Sequence, residues 1–130
     1  MYPREKVFIM SFIAALSKKG HKTIYFNQDW FGHGIENMQQ YFQENRENFG
    51  SLSSELAMLF LKNSNGEYAQ FNKAVENLNA GLLTFDNPFY ISAHIKEDTD
   101  ADAILHENSD DIPIAIIEGF ANAFCEHLVV

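Results

Sequence analysis

Apolar residues recur along this chain mostly three and four positions apart, the spacing of helices, and one stretch alternates with period two. The run Arg4–Lys19 opens after Pro3, suited to a first helical position, and closes at Gly20, suited to the position just past a helix end. Through Val7–Leu16 it is apolar on nearly every side, so the pattern predicts a helix surrounded by other elements. Gly32-His33-Gly34 reads as a break. Ile35, Met38, Tyr41 and Phe42 then share a face, predicting a second helix from about Ile35 to Glu47. Ser51 or Ser53 can cap a third, with Glu55 in its first turn and Leu52, Leu56, Leu59 and Phe60 at helical spacing, ending at Asn63-Ser64-Asn65-Gly66. Tyr68, Phe71, Val75 and Leu78 form the stripe of a fourth helix that stops near Gly81. These four read as two antiparallel helix pairs joined by short turns.

Past Gly81 the period changes. Phe89, Ile91, Ala93 and Ile95 alternate with Tyr90, Ser92, His94 and Lys96, and Leu82–Phe85 precedes them across Asp86-Asn87-Pro88. A small β-hairpin near residues 82–96 is one reading; an irregular or helical segment is the other, because two strands alone are marginal. Within the acidic tract Glu97–Asp111, Ala103-Ile104-Leu105 leaves room for one helical turn. Asp110 or Asp111 with Pro113 starts a last helix, about Ile114–Leu128. Ile116, Phe120, Ala123 and Phe124 face inward, and Gly119 allows another backbone close. The predicted fold is mainly α: a compact single domain over residues 1–130, a bundle of about five helices with no internal repeat.

Between the first two helices lies Tyr25–Phe31, Tyr-Phe-Asn-Gln-Asp-Trp-Phe, with four aromatic residues in seven and the only tryptophan. Each large ring can remove about 150–250 Å² from water, so the stretch is expected to anchor its neighbours. Asn27, Gln28 and Asp29 sit between the rings and need hydrogen-bond partners if buried.

Composition narrows the class. With 46% hydrophobic and 14% aromatic residues, the chain has the material for a core and is not a disordered segment. The single cysteine, Cys125, excludes an internal disulfide and a paired-cysteine zinc site, and on an apolar helix it reads as a small buried hydrophobe. Val7–Leu16 follows Arg4 and Lys6 as a leader would, but ten apolar residues are too few for a bilayer, which needs about 20. A core helix and a cytoplasmic protein are the expectation, with no membrane partner.

Net charge is −9, unevenly spread. Residues 1–22 hold five basic residues, Arg4, Lys6, Lys18, Lys19 and Lys22, against Glu5, whereas Asp86–Glu126 holds ten acids against Lys96. Such a field repels nucleic acid and attracts basic partners, so no direct nucleic-acid binding is expected. Glu97, Asp98, Asp100, Asp102, Glu107, Asp110 and Asp111, together with Tyr90, are therefore the candidate binding residues; Phe89, Ile104 and Leu105 could add an apolar centre.

Other chemistry is thinly signalled. Asp98-Thr99-Asp100-Ala101-Asp102 opens like a calcium loop, but Ala103 replaces the required glycine and Ser109 the bidentate glutamate. Of the five histidines, His21, His33, His94, His106 and His127, no two stand at metal-binding spacing on one helix. There is no phosphate loop, nucleophile elbow or spaced Ser/His/Asp set.

The run Tyr25–Phe31, followed by a helix and then Leu52-Ser-Ser-Glu-Leu56 and Leu59, resembles the immunity proteins of bacterial contact-dependent growth inhibition systems, the CdiI type. The resemblance spans about Tyr25–Leu78 and rests on Phe26, Gln28, Asp29 and Trp30, a motif expected to belong to the core. It implies a cytoplasmic protein without catalysis or cofactor that binds the C-terminal domain of a cognate toxin one to one and blocks its active site. Such toxins are often nucleases, RNases ahead of DNases, whose basic clefts suit an acidic inhibitor. Two other classes stay open from the residues alone: a small metal-dependent hydrolase using His94, His106 and nearby carboxylates, and an acidic nucleic-acid mimic from a mobile element.

Overall fold

The apolar run that ends before Gly20 forms the helix on which most of the other helices pack. In the computed structural model, which describes residues 4–26, 28–78, 81–86 and 91–126, α1 covers Arg4–Lys18. Phe8, Ile9 and every residue from Ser11 to Ser17 are buried, as apolar character on all sides requires. Gly20 leaves the helix at φ +89, a conformation that glycine adopts without a Cβ clash.

Strand β1 (Thr23–Tyr25) follows, then α2 (Asp29–Glu44). The second helix thus begins six residues before Ile35 and runs straight through Gly32-His33-Gly34. That segment does not break the chain. Gly34 is buried inside α2, where a Cβ would come within 2.5 Å of the Phe124 ring. The glycine provides clearance for helix packing. Two 3-10 turns, Arg46–Asn48 and Gly50–Leu52, lead into α3 (Ser53–Leu59), and α4 covers Ala69–Glu76. Neither Ser51 nor Ser53 caps α3 through its side chain; Leu52 holds the cap position.

The hairpin reading of residues 82–96 holds, with an addition. Strands β2 (Leu83–Phe85) and β3 (Ser92–Ile95) pair antiparallel, Leu83 opposite Ile95 and Phe85 opposite Ala93. β1 joins the other edge of β3, Thr23 opposite His94, giving a three-stranded sheet of order β1-β3-β2. The third strand supplies support that two strands lack. Ile24, Ala93 and Ile95 turn inward; Ile91, expected on the same face, is 48% exposed. Ser92 is buried, and its hydroxyl donates to the Asp86 carboxylate.

The acidic tract contains a full helix, α5 (Ala101–Glu107), and the chain ends its described part with α6 (Ile114–Phe124). The fold is mainly α, with six α-helices and this small sheet among the described residues. The helices do not associate as two sequential pairs. α2 packs most extensively on α6, and α1 on α5 and α6, while α3 touches both α1 and α4. On α6 the fully inward residues are Ile117, Phe120, Ala121 and Phe124, so Ile117 and Ala121 take the places expected of Ile116 and Ala123. Gly119 does permit a close approach, but of a side chain: a Cβ there would lie 2.5 Å from Cζ of Tyr41.

Rings knit these elements together. Phe8 meets Phe120 edge-on at 5.1 Å, and Phe12 meets Phe124 at 5.3 Å and Phe71 at 5.9 Å. The Tyr25–Phe31 stretch joins this core from one side. Phe31 is buried against Phe71 and Phe124, Trp30 stands at 5.5 Å from Phe124, and Phe26 stacks on Phe85. Tyr25 is 44% exposed and contacts Trp30, so its ring does not anchor the core. Gln28 and Asp29 are exposed, which removes the burial cost expected between the rings; Asn27 lies outside the described residues. No helix among the described residues is long and apolar enough to cross a membrane.

Candidate functional site

The acidic tract begins as the chain leaves β3. A turn closed by the Thr99 N–H on the Lys96 carbonyl (3.1 Å) carries Glu97 and Asp98, both exposed. Asp100 then caps α5: its Oδ1 accepts the Ala103 N–H at 3.1 Å, meeting one of the donors that every helix start leaves unpaired. Asp102, in the first turn of α5, receives the Lys18 ammonium at 2.9 Å and ties α5 to the end of α1. The hydrogen bond and the charge of Lys18 hold the Asp102 carboxyl below the usual aspartate range; Asp102 in turn holds Lys18 above the usual lysine range. Both side chains stay wet, so the pair is weak in energy terms. The three aspartates that open like a calcium loop thus do different jobs.

At the far end of α5, Glu107 is exposed and Asp110 and Asp111 sit exposed in the turn before buried Ile112. Asn108 donates to the Ser11 hydroxyl of α1 at 3.3 Å and seats this turn. The seven carboxylates predicted as partner-facing, Glu97, Asp98, Asp100, Asp102, Glu107, Asp110 and Asp111, are therefore all on the surface. The apolar centre expected among them is not there. Leu105 is 2% exposed in the core and Ile104 is half-buried against it; Phe89 and Tyr90 lie outside the described residues. Exposed large apolar side chains occur elsewhere, at Tyr25, Ile91, Met58 and Leu61.

The histidines occupy separate settings. His94 lies on the open face of the sheet, Nδ1 at 3.2 Å from the Thr23 hydroxyl and Nε2 at 3.4 Å from Asp86 Oδ1. His106 is exposed on α5, and His33 stands 3.9 Å from Glu36 on α2. Among the described residues no three His, Cys, Asp or Glu side chains converge on one point where a metal could sit. Cys125 is half-buried, and burial pushes its thiol up, away from the reactive thiolate.

A concavity absent from the sequence reading lies on the other side of the motif. The first turns of α2 and the loop 66–68 enclose an open groove of about 390 Å³. Phe26, Phe31 and Tyr68 line it, and Asp29, Glu36 and Glu67 stand at its rim. Of the motif residues, Phe26, Gln28 and Asp29 border the groove, while Trp30 turns toward Phe124. Burial holds the Tyr68 phenol above its usual range, and its hydroxyl donates to Gln39 at 3.1 Å. The segments forming this groove are about forty residues apart in sequence, and no periodicity links them.

Comparison with models of protein families, with curated proteins and with solved structures gave no match to this chain.

Proposed function

We propose that this chain is an immunity protein that binds the C-terminal domain of a cognate growth-inhibition toxin, one to one, and covers its active site. The observation that carries this reading is the surface of Glu97–Asp111. Seven carboxylates lie exposed on one continuous segment, and among the described residues only Asp102 is ion-paired, to Lys18. The resemblance at Phe26, Gln28, Asp29 and Trp30 adds the class of partner. A nuclease, an RNase ahead of a DNase, has a basic substrate cleft, and an acidic surface steers toward such a cleft and disfavours wrong partners. Inhibition by occupancy needs no catalysis and no cofactor. It takes place in the cytoplasm, where the toxin meets its substrate.

The test is co-purification with the toxin domain encoded immediately upstream of this gene. The expected result is a stable one-to-one complex in which toxicity is lost. A folded chain that forms no complex overturns the reading. The combined variant E97Q/D98N/D110N/D111N changes none of the side-chain contacts described above. In it, association should slow about tenfold or more at low salt, with a smaller loss at high salt. Unchanged, salt-independent association would place the interface away from this tract.

A further inference from the structure

We infer that the groove between the first turns of α2 and the loop 66–68 receives an arginine side chain of the partner protein. This inference rests on the proposed function only for the partner's being a basic protein; the groove's chemistry stands by itself. Phe26, Phe31 and Tyr68 contribute to its lining, Phe31 and Tyr68 by the small part of each ring that is not buried, together with three exposed carboxylates, Asp29, Glu36 and Glu67, and His33. Aromatic faces attract a cation that has shed its water, and carboxylates at the mouth bind its N–H groups. A guanidinium is planar, stacks on rings and forks to carboxylates, whereas an ammonium is a compact and strongly hydrated point charge.

Two independent features point to the same ligand. First, the chain already holds a cation against this site. The Lys62 ammonium lies 3.5 Å from Glu36 Oε1 and 5.3 Å from the centre of the Tyr68 ring. Lys62 engages Glu36 and the Tyr68 ring and leaves Asp29 and Glu67 with no ion pair among the described residues. Second, the side-chain oxygen of Asn72, a lining residue, is buried with no hydrogen-bond partner among the described residues. An unmet acceptor of this kind costs about 1–3 kcal/mol, which a donor entering the groove could recover.

The rim is also set in advance. Asn63 Oδ1 accepts the N–H groups of Asn65 and Glu67, the Asn63 N–H donates to the Glu67 carbonyl at 2.8 Å, and Gly66 takes φ +77. Glu67 therefore leaves a closed turn at a fixed place, and a preformed site spends less ordering entropy on its ligand.

The probe is N-acetyl-arginine methylamide, titrated at low salt into the isotope-labelled full chain and followed by amide chemical shifts. The citrulline and lysine counterparts serve as neutral and ammonium controls. Saturating shifts confined to residues 28–36 and 66–72 are expected, several-fold weaker with lysine and absent with citrulline. The D29N/E67Q variant should weaken binding about fivefold, and Lys62→Ala should strengthen it by freeing Glu36 and the Tyr68 face. Shifts centred on α5, or an equal response to citrulline, would overturn the inference. The toxin complex separates the two ideas. A complex that survives D29N/E67Q unchanged but weakens in the acidic-tract variant removes the groove and leaves the proposed function standing. If no toxin complex forms at all, the arginine titration still decides the groove.

Discussion

Two glycines show how much a missing methyl group can hold. At Gly34 a Cβ would meet the Phe124 ring at 2.5 Å, and at Gly119 it would meet the Tyr41 ring at the same distance from Cζ. Both rings are packed by further rings, Phe124 by Phe12, Trp30 and Phe31, and Tyr41 by Phe49 and Phe120, so neither can swing away freely. Gly34→Ala and Gly119→Ala should each destabilise the fold by about 1–3 kcal/mol, read as a lower urea midpoint at unchanged slope. A gain of stability, as expected for alanine at an uncrowded helix position, would contradict the packing. In the sequence Gly34 looked like a breaker because a glycine announces freedom but not its neighbour. The Lys18–Asp102 pair is testable by pH. Asp102 is held low, so its contribution is present above the ordinary aspartate value and lost as pH falls through the lowered one. Lys18 is held high, so its contribution is present below the ordinary lysine value and lost as pH rises through the raised one. The stability difference between wild type and Asp102→Asn should be flat across neutral pH and close at both extremes. A gap that persists in strong acid would show that Asp102 acts through something other than charge.

Among the elements, α5 depends on the residue just before it, Asp100. It is seven residues long, too short to persist without its cap and its packing on α1. Asp100→Ala should cost about 0.5–2 kcal/mol and speed amide exchange along α5, whereas Asp100→Asn, which can still accept the Ala103 N–H, should cost little. Equal effects from the two would rule out the cap as the cause. The long helices were legible because their apolar stripes repeat over three or more turns, as in α1 and α6. β1 was not legible. It has three residues, and its partner in β3 is 71 positions away, so nothing local distinguishes it from the aromatic stretch that follows. The start of α2 was hidden for a related reason: propensity argues against helix at Gly32 and Gly34, and packing on α6 overrides it.

For the whole molecule, the candidate surface was legible in one part and hidden in another. A charge run in sequence stays a charge run on the surface, since burying seven carboxylates would be prohibitive, so the tract from Glu97 to Asp111 could be read directly. The groove could not, because Glu36 and Glu67 become neighbours only after α2 and the loop before α4 are assembled. The same dependence on distant segments bears on biogenesis. α1 is buried on all sides, yet its ring partners Phe120 and Phe124 belong to the last described helix. A ribosome adding about 5–20 residues per second needs roughly 5–20 s to make the intervening hundred or so residues. Until then α3 and α4 can cover only part of α1, the faces that meet α5 and α6 stand exposed, and the sheet that joins Thr23 to His94 cannot close until most of the chain has emerged.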